Sequence, residues 1–144
     1  MSKLSLKIVT PERIVFEDSV DSISVNTENG EVTILQNHLP LVSLLRAGEM
    51  TLKTGTETTH LAVSTGLLEV RPGNVVIILA DSAERSDELD LKAIEEAKKL
   101  ALQRLEEARN KGDVAYADAL VHMERELARH RVASKKYRDV GKQI

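Results

Sequence analysis

The 144-residue chain has no cysteine, no tryptophan, three prolines and only three aromatic residues, Phe16, Tyr116 and Tyr137. Each shortage excludes something. Without cysteine there is no disulfide framework, no thiolate zinc site and no cysteine nucleophile, and the compartment stays open because a cytosolic protein needs no cysteine. Three aromatic side chains make a poor platform for stacking bases or sugar rings. An excess of one charge is lacking too. Twenty basic against 23 acidic side chains give a net charge of −3 and a pI near 5.8, so no global basic field draws phosphates and no nucleic acid partner is expected. No run approaches the ~18 consecutive apolar residues of a membrane helix. The start, Met1-Ser2-Lys3-Leu4-Ser5-Leu6-Lys7, carries charge where a signal peptide is apolar, so direct membrane insertion is not expected either.

Hydrophobic residues make up 42% of the chain, enough for the core of one domain or two small ones. Composition changes near residue 86. Up to Ser86 there are 25 Val, Ile and Thr residues; from Asp87 onward there are six, while alanine rises from four to nine. β-formers thus give way to helix-formers. The expected fold class is α+β, with a β-sandwich over residues 1–86 and an antiparallel two-helix hairpin over 87–144, joined by a short hinge without a Gly/Ser linker.

Alternation marks the strands: Leu4, Leu6 and Ile8; Ile23 and Val25; Met50 and Leu52; Leu61 and Val63; Leu68 and Val70. Val75-Val76-Ile77-Ile78-Leu79 is continuously apolar, which predicts a strand covered on both faces. Asn29-Gly30 suits a type I′ hairpin and Pro72-Gly73-Asn74 a tight turn. About eight to ten short strands can bury their apolar faces only as a small sandwich or flattened barrel.

Past Asp87, Ile94, Ala97, Ala101, Leu105 and Ala108 recur at helical spacing, and so do Tyr116, Leu120, Met123 and Leu127. Between the two stripes, Asn110-Lys111-Gly112-Asp113 offers a glycine C-terminal cap and an aspartate N-cap. Glu88/Lys92 and Glu95/Lys99 lie at i,i+4 spacing, worth ~0.3 kcal/mol each. The first stripe is mostly alanine. At ~0.8 kcal/mol per buried CH₂, alanine in place of leucine forgoes on the order of 2 kcal/mol per position, so the hairpin should be held loosely.

Charge is unevenly placed. Residues 1–86 carry 7 basic and 11 acidic side chains and residues 87–120 carry 6 and 9, whereas residues 121–144 carry seven basic against three acidic. The plain reading of that tail is a solvated helix face; the functional one is reversible docking onto an acidic partner, since exposed ion pairs are weak and screened by salt. Catalytic signatures are missing: no phosphate-binding loop, no HExxH and no nucleophile elbow. His122 and His130 stand about 80° apart around a helix, an awkward pair for a shared metal, and no metal is expected. The residues alone describe an interaction protein, for example a free-standing adaptor whose hairpin captures partner helices.

Several segments in register go further. Val63-Ser-Thr-Gly-Leu-Leu-Glu-Val-Arg-Pro-Gly-Asn-Val75, Leu79-Ala-Asp-Ser-Ala-Glu-Arg85, Leu89-Asp90, His38-Leu39-Pro40-Leu41 and Gly112-Asp113-Val114-Ala115-Tyr116-Ala117 resemble the epsilon subunits of bacterial F-type ATP synthases, from Leu4 to about Tyr137. The resemblance implies a non-catalytic subunit of the central rotor, peripheral on the cytoplasmic face of the bacterial membrane. Its sandwich would bind the gamma subunit and rest on the ring of c subunits that carries protons, with Glu31 and His38 in the ring-facing loop. It also implies a hairpin that switches from a form folded on the sandwich to one extended into the alpha/beta catalytic hexamer, where it blocks ATP hydrolysis. Arg125, Arg129, Arg131, Lys135 and Lys136 would then meet acidic segments of the beta subunits. This chain departs from many relatives before His38, where they have a second glycine and a proline. No cofactor is expected beyond the regulatory ATP that some relatives hold in the folded hairpin. Glu84, Asp90, Arg125 and Arg129 match that site, whereas Ala93 and Leu100 stand where two arginines belong, removing the strongest phosphate donors.

Overall fold

A computed structural model describes the backbone of residues 3–109 and 111–142, and their side chains except those of Asp113 and residues 136–142. Ten strands come first: β1 (Leu4–Val9), β2 (Ile14–Val20), β3 (Ser22–Thr27), β4 (Gly30–Ile34), β5 (Leu41–Leu45), β6 (Gly48–Thr54), β7 (Glu57–Val63), β8 (Gly66–Arg71), β9 (Val75–Ala80) and β10 (Ala83–Arg85). One turn of 3-10 helix, Ser86–Glu88, leads into α1 (Leu91–Ala108) and α2 (Asp113–Lys142). The α+β architecture expected from composition is the one found.

The strands form a continuous sheet in the order β10-β7-β6-β3-β5-β8-β9-β1-β2, with β4 on the free side of β3. β3 and β5 share a single residue pair, Thr27 with Leu45. There the sheet folds over, laying β10-β7-β6-β3-β4 against β5-β8-β9-β1-β2. All neighbours are antiparallel except β1 and β9, which run parallel with Leu6 beside Val76 and Ile8 beside Ile78. Because side chains alternate across a strand, every residue singled out by alternation points inward, and all of them, from Leu4 to Val70, are buried in one cluster with Val76 and Ile78. Gly66 sits opposite Ala80, where a Cβ would run into the Leu79 carbonyl; this is a close approach that only glycine permits.

The turns show one difference from the expected chemistry. Glu28 and Asn29 connect β3 to β4 and Asn29 keeps a negative φ, while Gly30 alone takes a φ of +112°. This is a turn followed by a left-handed glycine rather than type I′, which needs two positive φ values. The Thr27 hydroxyl helps set it, donating to the Gly30 carbonyl at 2.8 Å and accepting from Asn29 N–H at 3.2 Å.

In the helical hairpin Asp90 caps α1, its Oδ1 accepting from Lys92 N–H at 3.0 Å. Gly112, at φ +110°, ends the connection. Its carbonyl accepts the first α2 bond, from Tyr116 N–H at 3.1 Å, so Gly112 and not Asp113 occupies the cap position. Glu88 lies in the 3-10 turn rather than in α1 and turns away from Lys92 to a two-pronged bond with Arg13 of the β1–β2 connection, at 2.9 and 3.1 Å. Arg85 fastens the same junction to β2, donating to the Val15 carbonyl at 3.0 Å and stacking over Phe16 at 5.3 Å. Ile94, Ala101 and Ala108 of the first stripe are buried. The second stripe is only partly covered: Tyr116, Met123 and Leu127 are half-buried and Leu120 is 39% exposed. Ala115, Ala119, His122 and Glu126, about 100° away around the helix, face α1 across a groove of about 400 Å³. Small alanines on both sides leave that groove unfilled.

Candidate functional site

The two outer faces of the sandwich differ in what covers them. Over β6, β7 and β10 lies the C-terminal half of α2. Ala128, Val132 and Ala133 are buried there, and the last two pack with Ala62 of β7, Leu89 and Ile94 in a second small core. Small residues let the helix come close to the sheet, and charges flank them. Arg129 donates to Glu84 of β10 at 2.6 Å and to Glu126 one turn back at 2.9 Å. Burial alone would lower the Arg129 pKa, but the hydrogen bond and charge of Glu84, together with Glu126, outweigh it and raise it. On the other side of the stripe Lys135 donates to Oε1 of Glu49 on β6, and the same oxygen is 2.9 Å from Nδ1 of His60 on β7. Burial pushes the Glu49 carboxyl up, and the bonds and charge of Lys135, with His60, more than reverse this, leaving it below the usual carboxylate range. Glu88 is likewise held low, first by its hydrogen bond to Arg13, against a smaller opposing effect of burial.

The described residues leave the other face open. Strand register places Leu44 of β5 opposite Leu67 of β8, Leu67 opposite Leu79 of β9, and Leu79 beside Val9 of β1, so four strands contribute one continuous apolar row. Leu44 is 51% and Leu79 47% exposed, and Val42 is 66% exposed on the same side of β5. The run Val75–Leu79 was expected to be covered on both faces; within this chain only the inner face is, since Val76 and Ile78 are buried while Val75 and Ile77 are half-buried. A second apolar feature is the β4–β5 connection, where Leu35 and Leu39 are 56% and 78% exposed.

Glu31 and His38 are not brought together. Glu31 is exposed near the start of β4, paired across the strands with Asn26, and it lines a polar groove with Ser24, Glu49, Thr51, Arg131 and Lys135, beneath α2. His38 stands past the other end of β4, half-buried in a turn, with Nδ1 2.6 Å from the Leu39 carbonyl. Of the α2 cations, Arg129 and Lys135 are engaged by the sandwich, and Arg131 is exposed, lining a second groove with Arg46 and Glu124. The Lys136 side chain lies outside the described residues. Glu49 and His60 had no signal in the sequence: both alternate onto the outer face like any solvated strand residue. A trace existed in Leu61-Ala62-Val63, where a small apolar residue on the outer face betrays the cover.

The residues matched to a regulatory nucleotide do not fit one. Arg129 is already shared by two carboxylates, Asp90 is spent on the α1 cap, and Arg125 lines a cleft with Asp81, Glu84 and Glu12. Its Nε is buried without a hydrogen-bond partner among the described residues, one guanidinium facing carboxylates where a polyanion needs several. Among the described residues no three His, Cys, Asp or Glu gather as metal ligands, and no helix is long and apolar enough to cross a membrane.

Residues 3–86 match the family model of the ATP synthase delta/epsilon chain β-sandwich domain. Curated relatives extend the likeness through the helices. An ATP synthase epsilon chain of Dehalococcoides mccartyi is 45% identical over 136 residues, 94% of this chain and 96% of that one. That of Chloroflexus aggregans is 44% identical over 130 residues, 90% and 91% of the two chains. Among solved structures, a chain of the Euglena gracilis mitochondrial ATP synthase, a complex of OSCP, F1 and c-ring, superposes with a TM-score of 0.72 at 19% identity, covering 86% of this chain and 77% of that one; at that identity it speaks for the fold. A family model over more than half of the sequence, and relatives aligned nearly end to end, leave one assignment: the chain belongs to the ATP synthase epsilon family.

Proposed function

We propose that this chain is a non-catalytic rotor subunit of a proton-translocating ATP synthase, peripheral on the cytoplasmic face of the bacterial membrane, in which residues 1–86 join the gamma subunit to the c-subunit ring and residues 87–144 inhibit ATP hydrolysis. The observation that carries the first half is the row Leu44–Leu67–Leu79–Val9. A strand as apolar as β9 calls for cover on both faces, and the second cover has to come from another protein. Gamma is the partner we assign to that face. The ring would meet the end of the sandwich that carries His38, where Leu35 and Leu39 project. Support for the second half is the thin packing of the hairpin, which makes its release from the sandwich inexpensive, and the cations of α2, which suit acidic segments of the beta subunits in the catalytic hexamer.

Two variants test the reading. Leu79→Glu places a charge in the centre of the bare row without entering the core; gamma binding should fall by at least about thirtyfold, the size of an interface hot spot. Co-purification with gamma at parental yield would sink the assignment of that face. Truncation after Ser86 in the reconstituted complex should preserve assembly and coupling while hydrolysis rises. Unchanged hydrolysis would remove the inhibitory role.

A further inference from the structure

Three small side chains are all that the described part of α2 buries against the sheet and α1, namely Ala128, Val132 and Ala133. Such a stripe gives little preference for one docked position, so orientation and residence must come from the flanking ion pairs. Of these, Arg129 is shared between the sandwich and its own helix, through Glu84 and Glu126. Lys135 is bonded to the sandwich, and it is the cation nearest the C-terminal end of α2 whose side chain is described. Its acceptor is unusual for a surface carboxylate. Glu49 has a side chain only 12% exposed, and its Oε1 takes His60 from within the sheet and Lys135 from the helix above. Docking covers this carboxylate with α2 and brings Lys135 onto it, so the ion pair forms where water screens it less than at an open surface.

We propose that Glu49 is a latch site that holds the helical hairpin on the sandwich by capturing Lys135, with His60 as the positioning residue that fixes the carboxylate. Glu84 is a secondary contact, because Arg129 retains Glu126 when it is lost. The latch stands on the contacts just described. It rests on the reading under Proposed function only for its consequence: Glu49 competes, within the molecule, with acidic segments of the beta subunits for the same cation.

The absence of native cysteine makes the test direct. Lys53→Cys on β6 and Val121→Cys on α2, both at exposed positions, take a fluorophore pair in the full-length chain, and energy transfer reports docking. Glu49→Gln and Lys135→Glu should each shift the docked-to-released ratio by at least about tenfold toward release, as expected for a hydrogen bond between charged groups. The exchanged pair Glu49→Lys with Lys135→Glu should restore transfer, which a variant damaged in folding could not do. His60→Ala should weaken docking and His60→Gln, which keeps a donor, should recover part of it. Transfer unchanged in Glu49→Gln, or an exchanged pair as open as the single variants, overturns the latch. In the assembled complex Glu49→Gln should deepen inhibition, because it frees the hairpin with Lys135 intact. If transfer falls and hydrolysis stays the same, the latch stands and the inhibitory reading fails.

Discussion

Ile78 in β9 and Ala101 in α1 are both buried, yet they sit in interiors of different kinds. Around Ile78, leucines, isoleucines and valines from nine strands interdigitate in one cluster. Around Ala101, alanines of two helices face one another across a groove of about 400 Å³. The sandwich therefore draws its stability from packed volume, and the hairpin from a few ionic contacts at its edges plus a core of five buried residues. Stability can be lost in the second region with little cost to the first. That separation suits a rigid body carrying a part that moves.

The largest effect should come from the sandwich. Leu68→Ala, at a position with no exposure, should cost about 3 kcal/mol in chemical denaturation of the whole chain. A smaller and local effect is expected of Ile94→Ala, which empties the second core. A loss of about 2 kcal/mol should appear in hydrogen exchange of α1 and α2 while β8 and β9 keep their protection. Equal loss of protection in both regions would break the contrast. Filling the groove sharpens it from the other side. Ala119→Leu adds apolar volume where there is room and should slow exchange in the hairpin by the equivalent of about 1 kcal/mol.

The least expected effect is one of acid. Glu49 has a depressed pKa in the folded chain, so its contribution is in force above the ordinary glutamate value and is lost as pH falls through the lower, folded value. Docking of the hairpin should weaken on acidification in that window. Glu49→Gln should flatten the dependence, and a hairpin whose energy transfer shows the same acid profile with and without Glu49 would remove this carboxylate as its origin.

Reading the strands needed only alternation, because in the sandwich the inner face is apolar whatever lies outside. The outer faces were harder. Glu49, Thr51 and His60 alternate outward in the same manner as residues that meet water, and only the position of α2 distinguishes them. The place where α2 meets the sheet is hard to read from sequence for a related reason. Tyr116, Leu120, Met123 and Leu127 form the more hydrophobic stripe, but the sheet accepts the helix where Ala128 and Val132 let it approach. Size decided that contact, and hydrophobic spacing does not register size. The continuous run Val75–Leu79 is informative in a different way, since it asks for a second cover that the described residues do not supply.

The parallel pairing of β1 with β9 also bears on how the protein is made. Ser5 lies beside Val75 and Leu6 beside Val76, so β1 cannot gain its parallel partner until some seventy further residues have been made. β1 can pair early with β2, its neighbour in sequence, but that two-stranded hairpin would have an open edge and an apolar face. Synthesis of β9 closes the edge. Until then the nascent sandwich is a template awaiting β9, and the hairpin that follows β10 is added to a body already built.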